Sequence, residues 1–236
     1  MCLYPLTMEL GTFSIVARDR KKAEFGVASA TAAPCVGAFL PHALEGVGAI
    51  ASQAWVNVNL GYQGLQLMAS GLSVQVALEA LLKEDNGRAR RQVIGIDASS
   101  AFGYTGDECS GAKGHLLEDE FAVAGNILAD VRVLDEMAEA FKKSRGELSQ
   151  RLMAALEAGQ AAGGDHRGKL SSVLVVASPH PRLYHNLRVD LSDNPVADLR
   201  ELYSKCEHLQ REIGDLEDGE ILRRKVHKVD RLPPIR

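Results

Sequence analysis

The chain has 236 residues, of which 46% are hydrophobic and 25% are charged, as in an ordinary globular protein. This length suits one large domain, or two small ones, with a buried core, and the composition excludes a disordered, collagen-like or coiled-coil chain. The formal net charge of −4 provides no basic surface, which argues against nucleic acid or an anionic membrane as a partner.

The cysteines and the apolar segments point to a compartment. Cys2, Cys35, Cys109 and Cys206 form no Cys-x-x-Cys pair, so neither a disulfide framework nor a structural zinc site is indicated. No stretch reaches the ~18 apolar residues that a membrane span needs, and the N-terminus lacks the pattern of a signal peptide. We expect a cytoplasmic protein without a metal or a cofactor.

The first elements predict a β-hairpin at the front of the domain. Residues 1–11 form an N-terminal extension, and TFSIVA at 12–17 and FGVASAT at 25–31 are β-branched or apolar runs joined by a charged turn. Because the first run is apolar on both faces, Phe13, Ile15 and Ala17 are expected to face one core layer and Val16 another. Further strand candidates, arriving in pairs as an antiparallel sheet requires, are Gly46–Ser52, Val93–Asp97, Ala101–Thr105, Phe121–Ala124 and Ser172–Ala177.

Amphipathic helices are predicted between these strands. Ser73 and Asp130 each precede an apolar stripe with helical spacing, and a further stripe runs from Leu148 to about Gly159. Asn194 and Pro195 have the pattern of a cap and a first-turn proline. The densely charged residues 205–236 are predicted to be a C-terminal tail, either a solvated extension or a contact in a homo-oligomer.

Most of the motifs that could indicate a binding or catalytic site are excluded by their position in the sequence or by their absence. GGDHRGKL at 163–170 resembles a phosphate loop, but it follows a predicted helix and precedes a strand, which is the wrong order for binding phosphate at a helix N-terminus. No Gly-x-Ser-x-Gly elbow occurs. His42, His180 and His185 are interpreted as surface residues rather than metal ligands.

Thr12 is the remaining candidate nucleophile, because it is a hydroxyl residue directly after Gly11 at the start of the first strand. If processing exposed its α-amino group, that amine, with a pKa of roughly 8, could take the hydroxyl proton. Threonine is also a common strand residue, and the residues alone favour that simpler interpretation.

Longer segments of the sequence resemble a known family. They are TFSIVARD (12–19), GVGAIASQAWVN (46–57), GYQGLQLMASG (61–71), RQV (91–93), TG (105–106), AGNIL (124–128), MAEAF (137–141), LMAALEAGQAAGGDHRGKLSS (152–172), LRVD (187–190) and NPVADLRELY (194–203). Together they resemble a functionally uncharacterised family related to the N-terminal-nucleophile (Ntn) hydrolases, some members of which carry a pilin label. The similarity spans Thr12 to Tyr203, which places the domain at residues 12–204.

The resemblance implies a four-layer αββα sandwich of two antiparallel sheets with helices outside. It also implies that Thr12 is the nucleophile, although members usually begin at Met-Thr and this chain first requires removal of eleven residues. Two further departures are Leu170, where relatives often have Gln, and the loop 110–115, which lacks a common Trp.

The remaining polar residues at family positions are candidates for oxyanion or substrate binding. Gln53 and Asn126 carry amides that could donate to a developing oxyanion, and an Asp165–Arg167 pair could hold a substrate carboxylate. Asn57 completes the set, and each of the five could instead satisfy a buried strand end.

Two functions follow. The first is an Ntn-type amidohydrolase acting on a small-molecule or peptide amide bond. The alternative is a catalytically silent binding or assembly protein with the same fold, in which the extension covers Thr12.

Overall fold

A computed structural model describes residues 9–213 as a mixed α+β fold with two antiparallel sheets and, within that range, five α-helices. The strands are β1 Thr12–Asp19, β2 Glu24–Thr31, β3 Pro41–Leu44, β4 Gly48–Ala54, β5 Arg91–Ile96, β6 Ala101–Thr105, β7 Ala112–Leu117, β8 Phe121–Leu128, β9 Ser171–Ala177 and β10 Asn186–Val189. The helices are α1 Val58–Ala69, α2 Val74–Glu84, α3 Arg132–Lys143, α4 Leu148–Ala161 and α5 Pro195–Ile213. The larger sheet has the order β10-β9-β2-β1-β8-β7, and the smaller has the order β3-β4-β5-β6.

The front hairpin and the paired strands are present as predicted, with shifted ends. β1 and β2 pair antiparallel from Thr12 opposite Thr31 to Asp19 opposite Glu24. Strand β8 continues past the predicted end at Ala124 to Leu128. Strands β3, β7 and β10 were missed, and all three lie at sheet edges. An edge strand is paired on one side only, so it lacks the continuous apolar run that identifies a central strand.

Three apolar clusters hold the layers together. The first joins the outer face of the larger sheet to α3, α4 and α5, and the third joins the smaller sheet to α1 and α2. The second lies between the inner faces of the two sheets. Phe13, Ile15 and Ala17 belong to the first cluster and Val16 to the second, as their alternation predicts.

The predicted helix starts are largely correct. The Ser73 hydroxyl accepts a hydrogen bond from the Val76 amide at the start of α2, and α5 begins at Pro195. The Asp130 carboxylate accepts a bond from the Arg132 amide, where α3 begins. The loop at 163–170 connects α4 to β9, in the order that argued against a phosphate loop.

Helix α1 was not predicted because glycines interrupt its pattern. A Cβ at Gly64 would lie 2.7 Å from Ile50, and one at Gly61 would overlap the His42 ring. Close packing of the helix on the smaller sheet therefore requires glycine and overrides its low helix propensity.

Both ends of the domain differ from the simple division into extension and tail. Leu10 and Gly11 are buried against the domain, and α5 continues to Ile213, which is within the predicted tail. Residues 1–8 of the extension and 214–236 of the tail lie outside the described residues. No helix within residues 9–213 combines the length and the apolar composition that a membrane span needs.

The interpretation of all three histidines as surface residues was wrong for two of them. His42 and His185 are buried, while His180 is exposed. His42 lies in the packing contact of α1, where its ring meets Tyr62 edge to face.

Burial lowers the pKa of His42 and of His185 to about 4, from a value of 6.5 in a solvated chain. Between these values the folded protein binds fewer protons than the unfolded chain, so the free energy of unfolding falls as the pH is lowered from 6.5 to 4. Each histidine accounts for up to roughly 3 kcal/mol of this loss. Urea unfolding across this pH range should show a smaller pH dependence for His42→Asn than for the wild type. His180→Asn is the matched control, and an equal dependence in wild type and His42→Asn would contradict the assignment.

Candidate active site

Thr12 is the first residue of β1, and its side chain projects into the space between the two sheets. It is opposite Thr31 on β2 and opposite Asn126 on β8, and opposite residues of antiparallel strands project from the same face. That face is the inner one, which also carries Val16. Thr12, Thr31 and Asn126 are all fully buried.

The smaller sheet contributes two glutamines to the same place. Gln53 on β4 and Gln92 on β5 are opposite each other and fully buried. Gln92 Oε1 accepts hydrogen bonds from Gln53 Nε2 at 2.7 Å and from Asn126 Nδ2 at 2.9 Å. Gln92 Nε2 donates to the Gly125 carbonyl at 2.9 Å and to Thr105 Oγ1 at 2.9 Å. Gln92 therefore ties the inner faces of the two sheets together beside Thr12.

Two amide oxygens of this cluster lack partners. Gln53 Oε1 and Asn126 Oδ1 are buried and accept no hydrogen bond from any residue between 9 and 213. A buried acceptor left unpaired costs about 1–3 kcal/mol, so such atoms are rare in structural cores and more typical of sites that bind something.

Backbone strain occurs immediately after both residues. Ala54 follows Gln53 with φ of 62°, and Ile127 follows Asn126 with φ of 50°. A β-branched residue seldom adopts this left-handed conformation, and strained residues concentrate at functional sites. The Ile127 amide donates to the Ser110 carbonyl, and its carbonyl accepts from the His166 amide, so neighbouring loops hold the conformation.

The Thr12 hydroxyl is part of a short chain of hydrogen bonds. Thr12 Oγ1 donates to the Leu10 carbonyl at 3.2 Å and approaches Thr31 Oγ1 at 3.3 Å. Thr31 Oγ1 in turn donates to the Gly11 carbonyl at 2.6 Å. The carbonyl oxygen of the peptide bond between Gly11 and Thr12 therefore accepts a hydrogen bond from a hydroxyl group. In this bond the Thr12 nitrogen is an amide rather than an amine.

Asp165 and Arg167 approach the same peptide bond from the turn after α4. Asp165 forms an isolated β-bridge with Leu128, the last residue of β8. Its fully buried carboxylate accepts from Arg167 Nη2 at 3.2 Å and from the Ala32 amide at 3.2 Å. A Cβ on Gly11 would lie 2.5 Å from Arg167 Nη2 and nearer still to Asp165 Oδ2. The predicted pair is therefore formed, and it lies against Gly11.

Asn57 does not join this cluster. Its side-chain oxygen accepts from the Asn59 amide at the start of α1, and its Nδ2 donates to Asp85 Oδ2 at 2.8 Å. Asp85 also pairs with Arg91. Burial raises the pKa of Asp85, but the hydrogen bonds from Arg91 and Asn57 outweigh burial and lower it overall. Asn57 therefore fixes the start of a helix, a role that the sequence pattern did not separate from substrate binding.

Cys109 is the competing nucleophile in this region. Burial, with a further contribution from the charge of Glu9, raises the pKa of its thiol to about 11. Its Sγ donates to the Arg91 carbonyl. A thiol held protonated is a poor nucleophile, so we assign Cys109 no catalytic role.

Sequence reasoning missed two members of the site, Gln92 and Thr31. Gln92 is followed in β5 by the apolar or small residues VIGI, and Thr31 ends β2 after the apolar or small residues FGVASA. A polar side chain at a buried strand position requires partners, and that requirement is the signal that could have identified them.

One known protein family matches most of the chain. A model described as "Family of unknown function (DUF1028)" matches residues 12–199. The chain belongs to this family. The match begins at Thr12, the residue at the centre of the buried cluster. No curated protein matches the chain.

A solved structure supports the same relationship. The chain is similar to the crystal structure of protein SPO2555 from Silicibacter pomeroyi, labelled with the DUF1028 family, at 35% sequence identity and a TM-score of 0.76. The similarity covers 83% of this chain and 88% of that chain.

The position of Gln92 generates a stability prediction. Gln92→Ala removes the shared acceptor of two buried amides and leaves a cavity, so we expect a loss of about 3 kcal/mol in the free energy of unfolding, measured by urea denaturation. Gln75→Ala is the control, since Gln75 is exposed on α2 and its side chain donates to the neighbouring Glu79, and its change should stay within about 0.5 kcal/mol. Equal effects of the two substitutions would contradict the role of Gln92.

Proposed function

We propose that the protein is an Ntn-type amidohydrolase with the αββα sandwich of that class, and that Thr12 becomes its N-terminal nucleophile when residues 1–11 are removed. One observation carries the proposal. Thr12 is fully buried at the start of β1, a central strand of the larger sheet. The side chains around its hydroxyl can orient an amine and stabilise an oxyanion.

In the proposed reaction, the free α-amine of Thr12 takes the proton of its own hydroxyl, and Oγ1 attacks the carbonyl carbon of a substrate amide. The tetrahedral intermediate collapses when the carbon–nitrogen bond breaks and the leaving amine takes the proton. The acyl group is then an ester on Oγ1. Water hydrolyses this ester to a carboxylic acid and restores the threonine.

The two buried amides fit complementary roles in these steps. Asn126 lies opposite Thr12 in the strand register, and its unpartnered Oδ1 is a suitable acceptor for an N–H of the new amine. Gln53 Nε2 and Asn126 Nδ2 each donate one N–H to Gln92 Oε1. The second N–H of each amide is then available to donate to a developing oxyanion.

The environment of Gly11 supports removal of the preceding segment by the protein itself. The Thr31 hydroxyl on the Gly11 carbonyl polarises the bond that must break. Attack by Thr12 Oγ1 on that carbonyl carbon would transfer the Gly11 acyl group from nitrogen to oxygen, with the proton moving to the nitrogen. Hydrolysis of the ester would release residues 1–11 and leave the free amine.

A catalytically silent binding or assembly protein is the second candidate, and the fit of residues 9–11 beside Thr12 favours it. Residues 9–11 are hydrogen-bonded in place beside Thr12, whose nitrogen is acylated. In that state Thr12 has no amine to act as a base, and the substrate position is filled.

Turnover by defined variants separates the two functions. A chain that begins Met-Thr12, trimmed to Thr12, should hydrolyse members of a panel of small amides and short peptides, and Thr12→Ala should reduce turnover by about 10³-fold or more. Thr12→Ser keeps the hydroxyl and should retain activity. Thermal unfolding checks that the fold survives, since a point change at Thr12 should cost only about 0.5–3 kcal/mol.

Equal turnover by the trimmed wild type and the trimmed Thr12→Ala variant would exclude Thr12 as the nucleophile. Absence of turnover by every trimmed protein across the panel would favour the silent binding protein.

A further inference from the structure

Residues 9–11 fill a groove beside the Thr12 nitrogen in the manner of a bound peptide. The Leu10 amide donates to the Ala54 carbonyl at 3.1 Å, and the two residues form an isolated antiparallel bridge. The Leu10 side chain is fully buried, although it belongs to a segment that precedes the matched family region. Main-chain pairing combined with one buried side chain is the way in which proteins recognise extended peptides.

The position next to the bond has room only for glycine. A Cβ on Gly11 would overlap the Asp165 carboxylate and would lie 2.5 Å from Arg167 Nη2. Asp165 cannot easily yield, because its side chain is fully buried and is bonded to the Ala32 amide and to Arg167. The groove therefore excludes any residue that carries a side chain at this position.

Arg167 recognises the peptide main chain in this arrangement. Its Nη1 donates to the Glu9 carbonyl at 3.3 Å, while its Nε and Nη2 are bonded to Asp165. Because the Asp165 charge offsets that of Arg167, the pair offers little net attraction for a free carboxylate. The Glu9 side chain is bound separately, by the Ser110 amide at 2.7 Å.

We infer that this groove is the acyl-side subsite of the enzyme and that it selects peptides with glycine directly before the hydrolysed bond and a large apolar residue before that glycine. The inference rests on the proposed function for the hydrolysis step, whereas the selectivity of the groove can be measured without turnover. Residues 9–11 are then the occupant that the protein itself supplies, and their removal opens the subsite next to the new amine.

Hydrogen exchange measures the selectivity directly in the full-length chain that carries Thr12→Ala, which lacks the attacking hydroxyl and therefore keeps residues 1–11. The Leu10 amide should be protected in this parent protein, and adding Gly11→Ala should reduce its protection by about tenfold or more by expelling the segment, with β8 amides unchanged. Gly114→Ala is the matched control, because a Cβ there meets only Leu134 at 3.5 Å. Equal Leu10 protection with and without Gly11→Ala in this parent protein would overturn the inference.

A second variant covers the case in which Gly11→Ala unfolds the domain. Leu10→Ser removes the buried side chain without adding bulk beside Asp165, and it should also release residues 9–11. If Leu10→Ser in the same full-length parent protein leaves the protection of residue 10 unchanged, the apolar subsite is excluded.

Two peptide probes distinguish failure of the inference from failure of the proposed function. After residues 1–11 have been removed, acetyl-Glu-Leu-Gly-amide should bind about tenfold more tightly than acetyl-Glu-Leu-Ala-amide and should be hydrolysed in preference to it. Hydrolysis of other amides without preference for the glycyl probe would overturn the subsite alone. Preferential binding of the glycyl probe without hydrolysis of any amide would keep the groove and overturn the enzyme.

Discussion

The space between the two sheets imposes the main constraint on this protein, because it is apolar along the middle and polar at the end where β1 begins. Val16, Val27 and Ile94 illustrate the apolar part, which can pack without specific partners. Thr12, Thr31, Gln53, Gln92 and Asn126 lie at the polar end and are completely buried. Each buried polar group that lacks a hydrogen-bond partner lowers the free energy of unfolding by about 1–3 kcal/mol, so the positions of these side chains are closely defined.

Gln92 provides most of the hydrogen bonds that these buried groups need. Its bonds extend from the smaller sheet to the carbonyl of Gly125 on the larger one. The oxygens of Gln53 and Asn126 remain unpaired, and each of these residues is followed by a residue in a left-handed conformation. Unpaired acceptors and local strain reduce stability, and the presence of both at this polar end supports the chemistry proposed for Thr12.

The sequence predicted those parts of the fold in which local pattern and tertiary environment agree. The hairpin of β1 and β2 and the helix α2 are examples, since their apolar residues alternate or repeat as the observed elements require. Prediction failed where a distant contact decides the structure. Gly61 and Gly64 are helical because α1 packs closely on His42 and Ile50, and no local pattern contains that information.

The candidate site shows the same division. The family resemblance drew attention to Thr12, Gln53, Asn126, Asp165 and Arg167, which converge although they are far apart in sequence. Asn57 was grouped with them, but its side chain caps α1 and contacts Asp85, a partner that cannot be deduced from its neighbours in sequence. The fit of Leu10 and Gly11 into the site also required the structure, because burial of these two residues depends on Ala54 and Asp165.

The proposed hydrolase is active only in a form that begins at Thr12. N-terminal sequencing of the native, untagged protein, combined with its intact mass, reveals whether that form exists. If the proposal holds, the first residue is Thr12 and the mass is reduced by that of residues 1–11. An amide-hydrolysing protein that still carries those residues, with the Thr12 nitrogen acylated, would contradict it.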